Sequence, residues 1–124
     1  MAYAAVVTVT REGGDTIIHI SETDAATGDE ATVTGVPSTG TVLRQTCVLT
    51  AGTGTTVNPV LATVPAGTGA AVVVSNAVAA ATVDNADPQV AYTGGAGTLF
   101  HQSQVDSAVA DNAITTVYLV KAGW

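Results

Sequence analysis

Positive charge is nearly missing from this chain. Arg11, Arg44 and Lys121 are the only cations in 124 residues, against ten carboxylates. Nucleic-acid binding depends on neutralising several phosphates with Lys and Arg, and three cations scattered along the sequence cannot build that footprint. The formal charge of −7 equally disfavours docking on an anionic membrane; it suits keeping an apolar protein in solution. Cysteine is limited to Cys47, so no internal disulfide framework is possible. Small extracellular domains lean on such staples, so the expectation is folding in a reducing compartment, or stability gained from a partner. The opening residues hold no basic stretch of the kind that begins a secretory signal. The most apolar run, 70–83, is interrupted by Ser75, Asn76 and Thr82 and is shorter than the roughly 20 residues that cross a bilayer. Synthesis in a cytoplasm is expected, with no membrane segment.

What is present is Ala, Thr, Val and Gly, at 22, 21, 20 and 13 residues. Charged residues are 10% of the chain, well below the roughly 25% of an ordinary soluble domain. Abundant Val argues against disorder, and Leu, Glu, Lys and Arg are too sparse for a helical bundle. Val and Thr favour pleated structure, where branched side chains pack well. The expected fold is therefore all-β: one domain over 1–124, a small β-sandwich or jelly-roll-like barrel of short antiparallel strands.

Val- and Thr-rich runs alternate with Gly, Pro and Asx clusters at the spacing expected of such folds. Residues 3–10 and 16–21 read as a hairpin around Gly13-Gly14, with Val7 and Val9 on one face, Ile18 and Ile20 on one face, and His19 pointing away. The acidic stretch 22–30 reads as a connection and 31–34 as a short strand. Residues 41–50 form a strong strand with Leu43, Cys47 and Leu49 sharing a face, and Cys47 reads as a buried thiol. Pro59 makes 55–64 an edge strand or a bulged one. Residues 70–75 suit a strand buried on both faces, 77–83 are ambiguous between helix and strand, and 84–88 read as a loop. Short strands follow at 89–93 and 98–101, then a loop or helical turns over 103–112 and a last strand at 114–121.

No catalytic, cofactor or metal signature stands out. Asp24, Asp29 and Glu30 cluster in one polar segment and Asp84 and Asp87 in another. Solvated loops are the plain reading, and a calcium site is the sharper one, without EF-hand spacing. His19 and His101 are far apart, and neither zinc ligation nor a Cys47–His pair is supported by spacing. Gly94-Gly95-Ala96-Gly97 lacks the helix and Lys-Ser/Thr of a phosphate cradle.

With only five aromatics, Tyr3, Tyr92, Phe100, Tyr118 and Trp124, the core must be built from small side chains. Such a domain is expected to be oligomeric, docked on a larger surface, or of low stability alone. Residues 1–5 can be an interacting arm that adds to a partner's sheet, with Tyr3, Ala4 and Ala5 at the contact, or simply the start of the first core strand. Trp124 can anchor a neighbouring subunit or pack back on its own sheet.

The acidic, Ala/Thr/Val/Gly-rich, disulfide-free style resembles small structural proteins of tailed-phage virions, particularly head decoration (cement) proteins. The turn Ala51-Gly52-Thr53-Gly54 and the segments Thr98-Leu99-Phe100-His101 and Thr115-Thr116-Val117-Tyr118-Leu119-Val120 carry the likeness. The resemblance implies a non-enzymatic protein on the outer capsid surface that bridges neighbouring shell subunits. Its implied partners are the major capsid protein and itself, as a homotrimer, with no nucleic acid, membrane or cofactor. The alternatives are a tail, head–tail connector or fibre component, or an Ig-like surface binding module.

Overall fold

A computed structural model describes residues 3–25, 29–51, 57–63, 72–75, 83–86, 89–93, 97–105 and 113–122. Among them the structure is nearly all β, with no α-helix, and two antiparallel sheets pack face to face as a small β-sandwich. The strands are β1 (Ala4–Glu12), β2 (Asp15–Thr23), β3 (Glu30–Thr34), β4 (Thr39–Ala51), β5 (Val57–Ala62), β6 (Val72–Ser75), β7 (Val83–Ala86), β8 (Val90–Thr93), β9 (Thr98–Val105) and β10 (Ala113–Ala122). One sheet runs β1-β2-β10-β4, and both β7 and β8 lie on the far side of β4; the other runs β3-β9-β5-β6.

The β1–β2 hairpin turns on Gly13-Gly14, with Glu12 facing Asp15. Gly13 takes φ +64°, left-handed backbone that a residue with a Cβ resists. Alternation along β2 sends Thr16, Ile18, Ile20 and Glu22 inward and leaves His19 exposed. On β10 the same period sends Ile114, Thr116, Tyr118 and Val120 inward.

The longest strand is irregular, for a reason visible in its pairing. Leu119 faces Arg44 and Val120 faces Val42, so Leu43 is an extra residue in β4. This bulge flips the phase: Val42, Gln45, Cys47 and Leu49 are buried, whereas Leu43 is only half-buried. The expected shared face of Leu43 with Cys47 and Leu49 is thereby corrected. On the other side of β4, β8 pairs with 39–42 and β7 with 45–48, so both partners skip the bulge. Gln89 sits at the break with φ 53°, and its amide donates to the Leu43 carbonyl at 3.4 Å.

Other boundaries also move. Asp84, Asn85 and Ala86 belong to β7 rather than a loop, and 103–105 extend β9. β5 is an interior strand between β9 and β6, not an edge strand. Among the described residues β6 pairs with β5 from Val60 onward, so Pro59 needs no ladder donor there, and that pairing carries an irregularity at Leu61/Ala62. β6, expected to be interior, lies at its sheet's edge. Residues 77–82 and 106–112 lie outside the described residues.

Candidate functional site

The interior is divided. One apolar cluster holds Ile18, Ile20, Leu61, Leu99, Tyr92 and Tyr118, with valines and Ala31 packed between them. A second holds Ala25, Cys47, Leu49, Val57 and Ile114, with Tyr3 packed on it. Between them lies a layer of buried polar side chains: Glu22 from β2, Gln45 from β4, His101 and Ser103 from β9, and Thr116 from β10. The layer joins the two sheets, because β9 belongs to one and β2, β4 and β10 to the other.

Glu22 is its centre. Oε1 lies 2.9 Å from His101 Nε2 and accepts the Ser103 hydroxyl at 2.5 Å. Oε2 accepts the Tyr3 hydroxyl at 2.6 Å. His101 Nδ1 lies 2.8 Å from the Tyr118 hydroxyl, with the two rings edge-to-face. With a proton on Nε2 the imidazole donates to Glu22, while Nδ1 and the Tyr118 hydroxyl share a hydrogen bond on the other side of the ring. Gln45 Nε2 then donates to the Pro59 carbonyl at 3.1 Å and to the Tyr118 oxygen at 3.4 Å. Gln45 Oε1 is the single buried side-chain N or O atom left without a partner among the described residues.

Burial pushes the Glu22 carboxyl up, but the hydrogen bond and the electrostatic attraction of His101, with hydrogen bonds from Ser103 and Tyr3, outweigh it and hold the group below the usual carboxylate range. Burial, and for Tyr3 also the hydroxyl's bond to the Glu22 anion, raise the Tyr3 and Tyr118 phenols.

Ser103, His101 and Glu22 are the residue types of a hydrolytic triad, but their connectivity is different. In a triad the serine gives its proton to the imidazole, and the carboxylate holds the opposite ring nitrogen. Here the Ser103 hydroxyl donates directly to Glu22, and both sit on the same ring nitrogen. The second ring nitrogen faces Tyr118. All three side chains are at most 1% exposed. The arrangement fastens β9 to β2 and β10.

The residues singled out from the sequence fall in several places. Tyr3 is half-buried and tied to Glu22, Ala4 begins β1 on its exposed face, and Ala5 packs against the main cluster. Trp124 lies outside the described residues. Cys47 is fully buried and accepts a weak bond from the Thr116 hydroxyl at 3.6 Å. His101 bonds to Glu22, Ser103 and Tyr118. No group of three or more His, Cys, Asp or Glu suited to a metal occurs among the described residues. Sequence reasoning missed Glu22 by ending the second strand at Ser21. The signal was available, since Glu22 continues the inward phase of Ile18 and Ile20. No known protein family matches the chain, and no curated protein is significantly similar to it.

Proposed function

We propose that this is a non-enzymatic structural protein of a virion, a module that coats a tailed-phage capsid and bridges neighbouring shell subunits. The observation that carries the reading is the sealed polar layer. The titratable groups that converge do so out of reach of any substrate and serve to hold one sheet to the other. Chemistry spent on internal cohesion suits a protein whose task is to keep its shape while bound in many copies. Repetition on a lattice supplies avidity even where each contact is modest. The major shell protein is the partner this reading names, and the acidic surface leaves packaged nucleic acid out of it.

The test is the copy number of the protein in purified particles, by quantitative mass spectrometry. A count comparable to the major shell protein supports the coat reading. A handful per particle moves the protein to the neck, tail or fibre, and absence from particles overturns the virion reading. Addition of purified protein to shells that lack it, followed by sedimentation, gives an independent check: cosedimentation is expected.

A further inference from the structure

The four lateral edges of the sandwich are not alike. Opposite β1, the edge of its sheet is split into β7 and β8, four residues each, with Gln89 at left-handed φ between them. The other sheet ends in β3, five residues, and β6, four. Short or broken edges are how β proteins avoid edge-to-edge association. β1 has neither protection. It runs nine residues without Pro, Lys or a bulge, and its first seven residues are uncharged. It also carries Val6, 66% exposed and the one exposed large hydrophobic among the described residues.

Among the described residues no strand pairs with the outer side of β1, and the register identifies the backbone groups that face that way. In a hairpin closed by two residues, the flanking pair is hydrogen-bonded and bonded pairs then alternate. Glu12–Asp15 is that pair, so Thr10, Thr8, Val6 and Ala4 also turn their backbone groups toward β2. Arg11, Val9, Val7 and Ala5 turn theirs outward, and the same alternation carried one residue past the ladder adds Tyr3. Ala5, Val7 and Val9 are also the residues whose side chains face the main cluster yet stay half-buried. Both the edge hydrogen bonds and the core are thus left open along the same line.

We infer that β1 pairs antiparallel with β1 of a second copy about a dyad at Val7. The outward-turned residues are centred on Val7, and this register engages all of them: Val7 with its own equivalent, Ala5 with Val9, and Tyr3 with Arg11. No charge meets a like charge. The half-buried side chains of Ala5, Val7 and Val9 gain cover from their equivalents, and Val6 comes to lie beside Thr8 of the second copy on the outer face. An isologous contact of this kind closes on itself and leaves no free β1 edge. The inference stands apart from the coat reading, since it concerns the purified protein and not its presence in particles. It replaces the threefold self-association implied by resemblance with a twofold one.

The test uses the full chain. Directly opposed residues in a bonded pair have Cα atoms about 5.5 Å apart, within disulfide reach. Val7→Cys should therefore cross-link to a covalent dimer on mild oxidation. Val9→Cys should not, because its equivalent lies about 13 Å along the strand. Cys47 is fully buried, so the new thiol is the reactive one. Light scattering of the unmodified protein should give the mass of two chains. Val7→Pro removes an outward N–H without touching the β1–β2 ladder, and it should give a folded monomer by circular dichroism and light scattering. A monomer or trimer mass for the unmodified protein overturns the inference. So does Val7→Cys without a covalent dimer, or Val9→Cys cross-linking as well as Val7→Cys.

Discussion

Replacing Glu22 with glutamine changes one atom at the centre of the buried layer and leaves the side-chain shape intact. The carboxylate accepts from His101, Ser103 and Tyr3. An amide oxygen can still accept from His101 and Ser103, but as a neutral group, and the amide nitrogen forces the Tyr3 hydroxyl to turn. Hydrogen bonds to a charged partner are worth about 1.5–3 kcal/mol and neutral ones about 0.5–1.5. Across two or three bonds, less the relief of no longer burying a charge, the loss at pH 7 comes to about 2 kcal/mol. For a chain of this length that is roughly 6–10 °C in Tm. The sign with pH follows from linkage. The Glu22 carboxyl is held below its ordinary 4.5 in the folded protein. Its stabilisation is therefore fully present above the unfolded value and is lost as pH falls through the folded one. The assay is thermal and urea unfolding of Glu22→Gln beside the unmodified protein from pH 7 to pH 2.5. Taking the difference between the two cancels the other carboxylates. The gap should be constant above about pH 5 and shrink below it. A glutamine variant as stable as the unmodified protein at pH 7, or a gap that does not change with pH, refutes the account of Glu22 as the charged hub.

Three further outcomes are expected. A Cβ on Gly40 would lie 2.8 Å from the Lys121 carbonyl oxygen and 3.2 Å from the Tyr92 ring. Gly40→Ala should therefore cost about 1–3 kcal/mol in denaturant unfolding, with a fold too tight to absorb the methyl as the reason. Cys47, fully buried, should react with an aromatic disulfide reagent only as fast as the protein opens, so labelling should accelerate with urea; rapid native labelling would contradict its burial. Replacing Glu22, His101 and Ser103 together with Leu, Phe and Val should leave the protein folded with near-unchanged stability. Its amide resonances should broaden or double as alternative strand registers become populated.

Much of the fold was legible in the sequence because Val, Thr and Ile alternate cleanly where strands are regular. β1, β2 and β10 fall within a few residues of their expected bounds, and the Gly13-Gly14 turn stands where paired glycines put it. Alternation fails where a bulge adds one residue: nothing local to Leu43 announces that the phase changes there, at the level of the strand break at Gln89 on the other side of β4. The polar layer was hidden for another reason. Glu22 and Ser103 are residue types that ordinarily mark the end of a strand, so the sequence places Glu22 in a connection and Ser103 in a loop or helical turns. Only the pairing of β2 and β9 into opposite sheets shows that they meet His101 in the interior. Pro59 looked like an edge signal because proline lacks a donor. Among the described residues the β6 pairing starts one residue later.

The polar layer answers a problem that the composition creates. Val and Thr are close in size, so where they fill a strand, sliding it past its neighbour by two residues keeps every side chain on its proper face and changes the packing less than a core of uneven side chains would allow. Hydrophobic alternation fixes which face is inward, but not the register in steps of two. A buried carboxylate with three donors does fix it. Moving β9 by two residues against its neighbours would carry Ser103 to the position of His101 and put hydrocarbon or an unpaired group against Glu22, at a cost of about 3–5 kcal/mol for a broken buried pair. That is a large share of the roughly 5–15 kcal/mol that holds a typical domain together. The same layer holds the start of β1 through Tyr3 and so fixes which residues of the open edge face outward. A dyad at Val7 requires that outward set to be unique. The charged hub at the centre of the sandwich and the uncharged strand at its margin are thus parts of one device. The first fixes the register, and the second presents it to another copy.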